Sequence, residues 1–314
     1  MAGLQPLLIF KSEVARVNEL YWSSTYAYNR TCQFLSFLES TGNYTPDPLV
    51  KEVWGAKDYA LDRVSKTNLG AFSNILMVKN SEALRINSIL HLCSAFENAL
   101  SGYYFLCSLY EGRKGDANYI GDDIPLLLKT TQTFESRRKS ISRILESTAS
   151  PLKGKYAERL KVFNSAWGVA LFSGSSLSRL NGYYKTRHKI AHDQGLGAPD
   201  NPEYSAEEIL RNRVVLTDAK WKQMIHDFQE VLVFLDEQVA INIVTDKGLA
   251  LAVYRTLRRD GPLMTEDLMK KLTKEWRLGQ TRKDRLHKLV LILGGRVTQV
   301  NGNKYKVSLP FPHK

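Results

Sequence analysis

The chain has little with which to build a metal centre or a covalent framework. It carries only three cysteines, Cys32, Cys93 and Cys107, an odd number at spacings that match no zinc-ligand or redox motif. Neither a disulfide scaffold nor Cys-x-x-Cys chemistry is expected, and such usage suits a reducing, cytoplasmic compartment with Cys93 and Cys107 as ordinary buried residues. No run approaches 18 apolar residues, and the short apolar stretch in the opening MAGLQPLLIFKSE has no basic segment before it. A membrane span and a signal peptide are therefore not expected. A Gly-rich phosphate loop, a His-Glu-x-x-His helix and a Gly-x-Ser-x-Gly elbow are also missing, which removes P-loop, zincin and hydrolase-elbow chemistry. No cofactor and no metal is expected. Repeats and low-complexity tracts are lacking as well.

What is present is a 314-residue chain, 43% hydrophobic, with a net charge of +12. That is enough length for two or three domains with their own cores. The charge is unevenly placed. Gly248 to Lys314 holds 15 Lys and Arg against 5 Asp and Glu, so most of the excess lies in the last fifth of the chain. This asymmetry points to a polyanionic partner, usually nucleic acid.

Apolar spacing and punctuation divide the chain into residues 1–79, 80–243 and 248–314. The first part reads as a helical extension whose main helix ends near Gly42, before the proline-marked YTPDP turn. Its aromatics (Tyr21, Trp22, Tyr26, Tyr28, Phe34, Phe37) read as core or interface. A long helix is expected over 81–110, with Glu97 embedded among Ala, Phe and Leu. A carboxylate there needs a partner, and Arg187 is the candidate by charge. Further helices are expected from about Pro125 to Glu146, from Tyr156 to Val169, around Arg187, and over the DAKWKQMIHDFQEVLVFLDEQVAINIV stretch.

The last part has a different grammar. A short helix over 248–259 precedes one begun at Thr265 and a third begun at Thr281, where Asp284 stands as a capping-box acid. The third carries Leu286, Leu289, Val290 and Leu293 at helical spacing and stops at Gly294-Gly295. RVTQV-NGN-KYKVSL then reads as two alternating strands around an Asn-Gly turn. Three helices and a terminal hairpin are the order of a winged helix. Arg282, Lys283, Arg285 and Lys288 on the outer side of the third helix, with Lys304 and Lys306 on the hairpin, are the expected nucleic-acid contacts. A protein-binding winged helix with a merely solvated basic face is the alternative.

One segment concentrates chemistry: NGYYKTRHKIAHDQG, residues 181–195. Leu177, Leu180, Tyr184, Arg187 and Ala191 follow a 3-4-3-4 rhythm, which puts Arg187 on the apolar stripe, where a charge is costly unless paired. His188 and His192 share a neighbouring face. Arg187 and His192 are roughly 140° apart around the axis, so one straight helix cannot aim both at one atom. A histidine in the last turn before Gly195 is also what a charge-capped helix terminus looks like. That reading explains His188 and His192 but not Arg187.

RHKIAH resembles the Arg-polar-x-x-x-His signature of the HEPN superfamily, all-helical domains of prokaryotic toxins, antiviral systems and RNA-processing enzymes. The resemblance covers about residues 80–243. It implies a mainly α fold, a HEPN-like bundle with an N-terminal helical extension and a C-terminal winged helix. It further implies a metal-independent endoribonuclease, active as a homodimer whose two motif helices face each other, with RNA as substrate. Pooling two copies of Arg187 and His192 would resolve the geometric difficulty. His192 would move protons at the ribose 2′-hydroxyl or the leaving 5′-oxygen, Arg187 would clamp the phosphate, and His188 would orient one of them. Glu97 and Asp193 would support the site. The context implied is a toxin or antiviral defence, with an antitoxin or defence-complex partner.

Two residues depart from the pattern. Asp193 stands where many relatives have glycine and would repel phosphate unless turned away. Gln194 stands where some relatives carry a tyrosine that an antitoxin modifies. The alternative function is a catalytically silent HEPN dimerisation module whose winged helix binds DNA as a regulator, or a structural subunit of a defence complex.

Overall fold

The computed structural model describes residues 3–42, 44–54, 63–110, 139, 141–147, 150–193, 214–276, 278–279 and 281–310. These residues are mainly helical, with one small antiparallel sheet near the C-terminus. The elements are α1 (Gln5–Thr41), α2 (Val50–Trp54), α3 (Leu69–Asn74), a π-helical stretch (Ile75–Asn80), and α4 (Ser81–Tyr110). There follow α5 (Tyr156–Trp167), α6 (Ser176–Asp193), α7 (Asp218–Val239), a second π-helical stretch (Ala240–Val244) and α8 (Thr245–Asp260). The chain closes with β1 (Leu263–Met264), α9 (Thr265–Trp276), α10 (Lys283–Ile292), β2 (Arg296–Asn301) and β3 (Lys304–Ser308). Among the described residues no helix is long and apolar enough to cross a membrane.

Two compact units emerge, both discontinuous in sequence. One comprises Met1–Ser12, Ser94–Tyr184 and His226–Lys314, the other Glu13–Cys93 and Lys185–Ile225. The expected cut was linear, at 79/80 and 243/248. The observed cut instead passes through α1, α4, α6 and α7.

The larger unit is built around aromatic rings. Phe96 stacks on Phe228 at 4.6 Å between centroids, and Tyr156 meets both edge-on. These rings are fully buried, and each contributes roughly 1.5–3 kcal/mol by leaving water. α5 shows how local sequence sets a boundary. The Glu158 carboxylate accepts the Lys155 N–H at 3.0 Å at its start. At its end Gly168 takes φ 69°, and the Gly168 and Val169 N–H groups return to Asn164 and Phe163 carbonyls, a left-handed cap that favours glycine. A buried carboxylate, Asp236, accepts the Leu4 N–H at 2.9 Å and the Tyr103 hydroxyl at 2.7 Å. Burial pushes its pKa up, a rise only partly opposed by those two donors.

The C-terminal segment of this unit runs helix, strand, helix, helix, hairpin. Its sheet order is β1-β3-β2, with Val307 paired to both Leu263 and Val297. The Asn301-Gly302 turn appears where it was expected, with Gly302 at φ 50° and an irregularity between Gln299 and Asn301. α10 begins one residue later than expected: Arg282, not Thr281, is the cap, and its side chain makes no capping bond. Gly295 is required by space, because a Cβ there would sit 2.3 Å from the Ser308 carbonyl oxygen.

The smaller unit has two apolar clusters. Leu35 of α1 packs with Val50, Val53, Leu69, Phe72 and Leu76. Trp221 of α7 lies 4.5 Å from Tyr21, centroid to centroid, and donates its indole N–H to the Ser88 hydroxyl at 2.6 Å. Arg85 ties this cluster together, donating to the Leu216 carbonyl and the Tyr21 hydroxyl, both at 2.8 Å. The expected helix from Pro125 to residue 138, and the loops at 111–123 and 195–206, lie outside the described residues.

Candidate functional site

α6 carries the motif, and its two ends have different surroundings. In the first half the inward groups converge on Asp227, a wholly buried carboxylate of α7. The Ser176 hydroxyl lies 2.9 Å from Asp227 and 2.5 Å from the Glu230 carboxylate, and its one proton is shared between these two acceptors. Arg179 donates from Nε at 2.7 Å and from NH2 at 2.6 Å, one to each carboxylate oxygen. Tyr183 donates its hydroxyl to Oδ2. A buried carboxylate is tolerable only when its lone pairs are filled in this way. The bond to Asp227 raises the Arg179 pKa, while burial is the first cause of the rise at Tyr183, followed by its bond to Asp227.

A second charge pair lies beside the middle of α6. Glu97 accepts the Tyr156 hydroxyl at 3.1 Å and pairs with Arg159 at 3.5 Å. The Arg159 guanidinium lies over the Tyr156 ring at 5.4 Å and the Tyr184 ring at 5.7 Å, an arrangement that suits a delocalised planar cation. The acid that needed a partner thus has one in Arg159 of α5.

The motif itself occupies the last two turns of α6, within the smaller unit. Arg187 is half-buried, His188 is exposed, and Lys185 and Lys189 on either side are exposed. His192 and Asp193 are the last two residues of the helix, and their side chains lie outside what the structure describes. The expected stripe holds at its start and shifts at its end. Leu180 is wholly buried and Tyr184 half-buried, but Ile190 is buried in place of Ala191, which is exposed. Leu180 is therefore covered within the protomer and is not open to a second copy.

The six basic residues expected to meet nucleic acid separate into two groups. Arg282, Lys288, Lys304 and Lys306 are exposed, and Arg285 is half-buried. Lys283 is used internally: it pairs with Glu266 at 3.3 Å, donates to the Asn303 carbonyl, and lies 4.7 Å from the centre of the Tyr305 ring. It clips α10 to the hairpin turn. His287 completes that clip, its Nε2 3.0 Å from the Thr265 hydroxyl, which itself donates to the Tyr305 carbonyl at 3.1 Å. Burial and then the Lys283 charge lower the His287 pKa.

Sequence reasoning missed Asp227 and Arg159. For Asp227 a signal existed: it lies between Met224 and Val231 at helical spacing, on a stripe otherwise apolar, the same pattern that marks Arg187. Arg159 had no comparable signal, because it borders the Tyr156–Leu160–Phe163 stripe without lying on it.

Comparison with known proteins adds no relative: no family model, no curated protein and no solved structure matches the chain.

Proposed function

We propose that the chain is a metal-independent endoribonuclease of the HEPN type, which cleaves RNA through the ribose 2′-hydroxyl. One observation carries this reading. The Arg187-His188-x-x-x-His192 pattern falls at the end of a helix in a mainly helical region, with His188 and two lysines at the surface around it. His192 would serve as general base or acid, since an imidazole can accept or release a proton near neutral pH. Arg187 would hold the scissile phosphate and stabilise the charge that develops on it, and His188 would orient the reacting groups. The products would be a 2′,3′-cyclic phosphate and a 5′-hydroxyl. The deciding experiment is cleavage of RNA with EDTA present, wild type against His192→Ala. Cleavage by the variant at the wild-type rate, or products bearing 3′-hydroxyls, overturns the reading. A toxin or antiviral setting with a cognate inhibitor is the biological context that goes with it.

The second reading is a catalytically silent helical module joined to a nucleic-acid-binding winged helix. It is favoured by the C-terminal order α8-β1-α9-α10-β2-β3 with sheet order β1-β3-β2. Exposed cations lie on α10 and on the hairpin, as a groove-binding helix and wing would need. Wild-type protein that binds duplex DNA in a salt-dependent way and cleaves no RNA would select it.

A further inference from the structure

The outward side of α1 bears aromatic residues that the protomer does not cover. Relative exposure is 39% for Trp22, 69% for Tyr26, 55% for Phe34 and 61% for Phe37. At 100° per residue the four fall within about 120° of one another around the helix, so they form one stripe. Residues 20–38 contain a single charged side chain, Arg30, and no carboxylate. Within this stretch of α1, aromatic residues and arginine without Lys, Asp or Glu are the composition of an interface core and not of a solvated face. Four rings of ~150–250 Å² each, exposed by about half, supply on the order of 400 Å² of surface. That is about half of the ~800 Å² per partner of a standard interface, before Arg30, Gln33 and their neighbours are added.

The order of residues says what fits there. Along the centre of the stripe Tyr26, Arg30, Gln33 and Phe37 are spaced 4-3-4, a seam that reads the same from either end. All four are exposed. We propose that a second copy of this chain docks on this face, its α1 antiparallel to the first about a two-fold axis between residues 31 and 32. Tyr26 then meets the partner copy's Phe37, and Phe37 meets its Tyr26, as an isologous contact requires. Arg30 meets the second copy's Gln33 twice over, and this pair is chemically competent, since within one protomer Arg30 already donates to the Gln33 side-chain oxygen at 3.2 Å. The two guanidinium groups are offset from the axis and need not oppose each other. Trp22 and Phe34 flank the seam and widen it. Trp22 is braced by Tyr21 at 5.1 Å and by the Lys222 ammonium at 5.2 Å from its ring. The 4-3-4 spacing is that of an antiparallel helix pair with knobs-into-holes packing. The proposal does not rest on the ribonuclease reading.

Light scattering of the whole chain at micromolar concentration should give twice the 35.7 kDa chain mass, or four times it if the motif helices pair as well. Tyr26→Ser/Phe37→Ser should halve that mass and leave circular dichroism and the monomer's melting intact, because both side chains are exposed in the protomer. Register is tested by cross-linking in a Cys32→Ser background. An equal mixture of Arg30→Cys and Gln33→Cys proteins should form an interchain disulfide. Arg30→Cys mixed with Arg16→Cys should not, since Arg16 lies ~25 Å from Gln33 along the helix. A monomeric wild type, or a mass that the double substitution leaves unchanged, overturns the proposal. So does a variant that keeps its mass but loses affinity for a single-stranded RNA oligomer, which would make the stripe a base-stacking surface.

Discussion

The first and last halves of α6 hold similar residues, arginine, tyrosine and hydroxyl or imidazole groups, yet they are arranged for different ends. Between Ser176 and Tyr183, Ser176, Arg179 and Tyr183 all reach Asp227, which is closed to solvent. From Lys185 to Lys189 the charged groups stand at or near the surface. Both arginines of this helix are half-buried, but Arg179 is committed to a buried carboxylate, while Arg187 is the phosphate clamp of the proposed reaction.

The largest effect should come from the C-terminal end of α6. His192→Ala should lower RNA cleavage by roughly 10² to 10⁴-fold, the usual cost of one acid–base group, with the melting temperature unchanged. Arg187→Ala should lose activity comparably, and His188→Ala less, as an orienting residue is partly replaceable. Cleavage rates under single-turnover conditions beside a thermal melt check all three.

The buried end should answer in stability. Asp227→Ala leaves Arg179 and Tyr183 without their acceptor, and should cost about 2–4 kcal/mol, the range for breaking a buried charged network. Arg179 is partly exposed, which keeps the figure below the extreme. Urea denaturation should show the lower midpoint, while the surviving folded fraction keeps its cleavage rate. A variant of normal stability and no activity would break the comparison, because Asp227 would then belong to the chemistry.

The basic C-terminal segment offers the same contrast at smaller scale. Replacing Arg282, Lys288, Lys304 and Lys306 together with Ala should flatten the salt dependence of nucleic-acid binding by up to ~0.9 in slope for each phosphate no longer neutralised. Lys283→Ala should leave the slope nearly unchanged and instead loosen the hairpin, since its ammonium already serves Glu266, Asn303 and Tyr305. Filter binding across a salt series, with hydrogen exchange at residues 296–308, distinguishes the two.

How much of this was readable beforehand depended on whether the signal was local. The hairpin turn at Asn301-Gly302 and the long helix over 81–110 were legible, because periodicity and turn chemistry are properties of neighbouring residues. Asp227 and Arg159 were not found, because each acts through partners 44 to 62 positions away, on other helices. Lys283 shows the limit from the other side, since sequence gives a cation its position but not its occupant.

The smallest expected effect concerns His287. Its ring is packed beside Tyr305 at 5.0 Å, with Thr265 on Nε2, Lys283 and Asp284 on its own helix and Glu266 on α9. Burial lowers its pKa in the folded state from the ordinary 6.5, with Lys283 adding to the fall and Asp284 and Glu266 opposing it. The unfolded chain therefore binds a proton at a higher pH than the folded one does. The stability that goes with the neutral ring is complete above pH 6.5 and is lost as pH falls through the folded value. Protonation would also leave Nε2 a donor with both ring nitrogens carrying hydrogen, which the Thr265 contact accommodates, so the loss comes from charge and not from geometry. His287→Gln keeps a polar group near Thr265 without the titration. Its denaturation midpoint should fall less than that of the wild type between pH 7.5 and pH 5.5, a window that spans the ordinary histidine value. Identical pH dependence in the two proteins would show that the clip tolerates the charged ring, and that His287 packs against the hairpin as an aromatic surface alone.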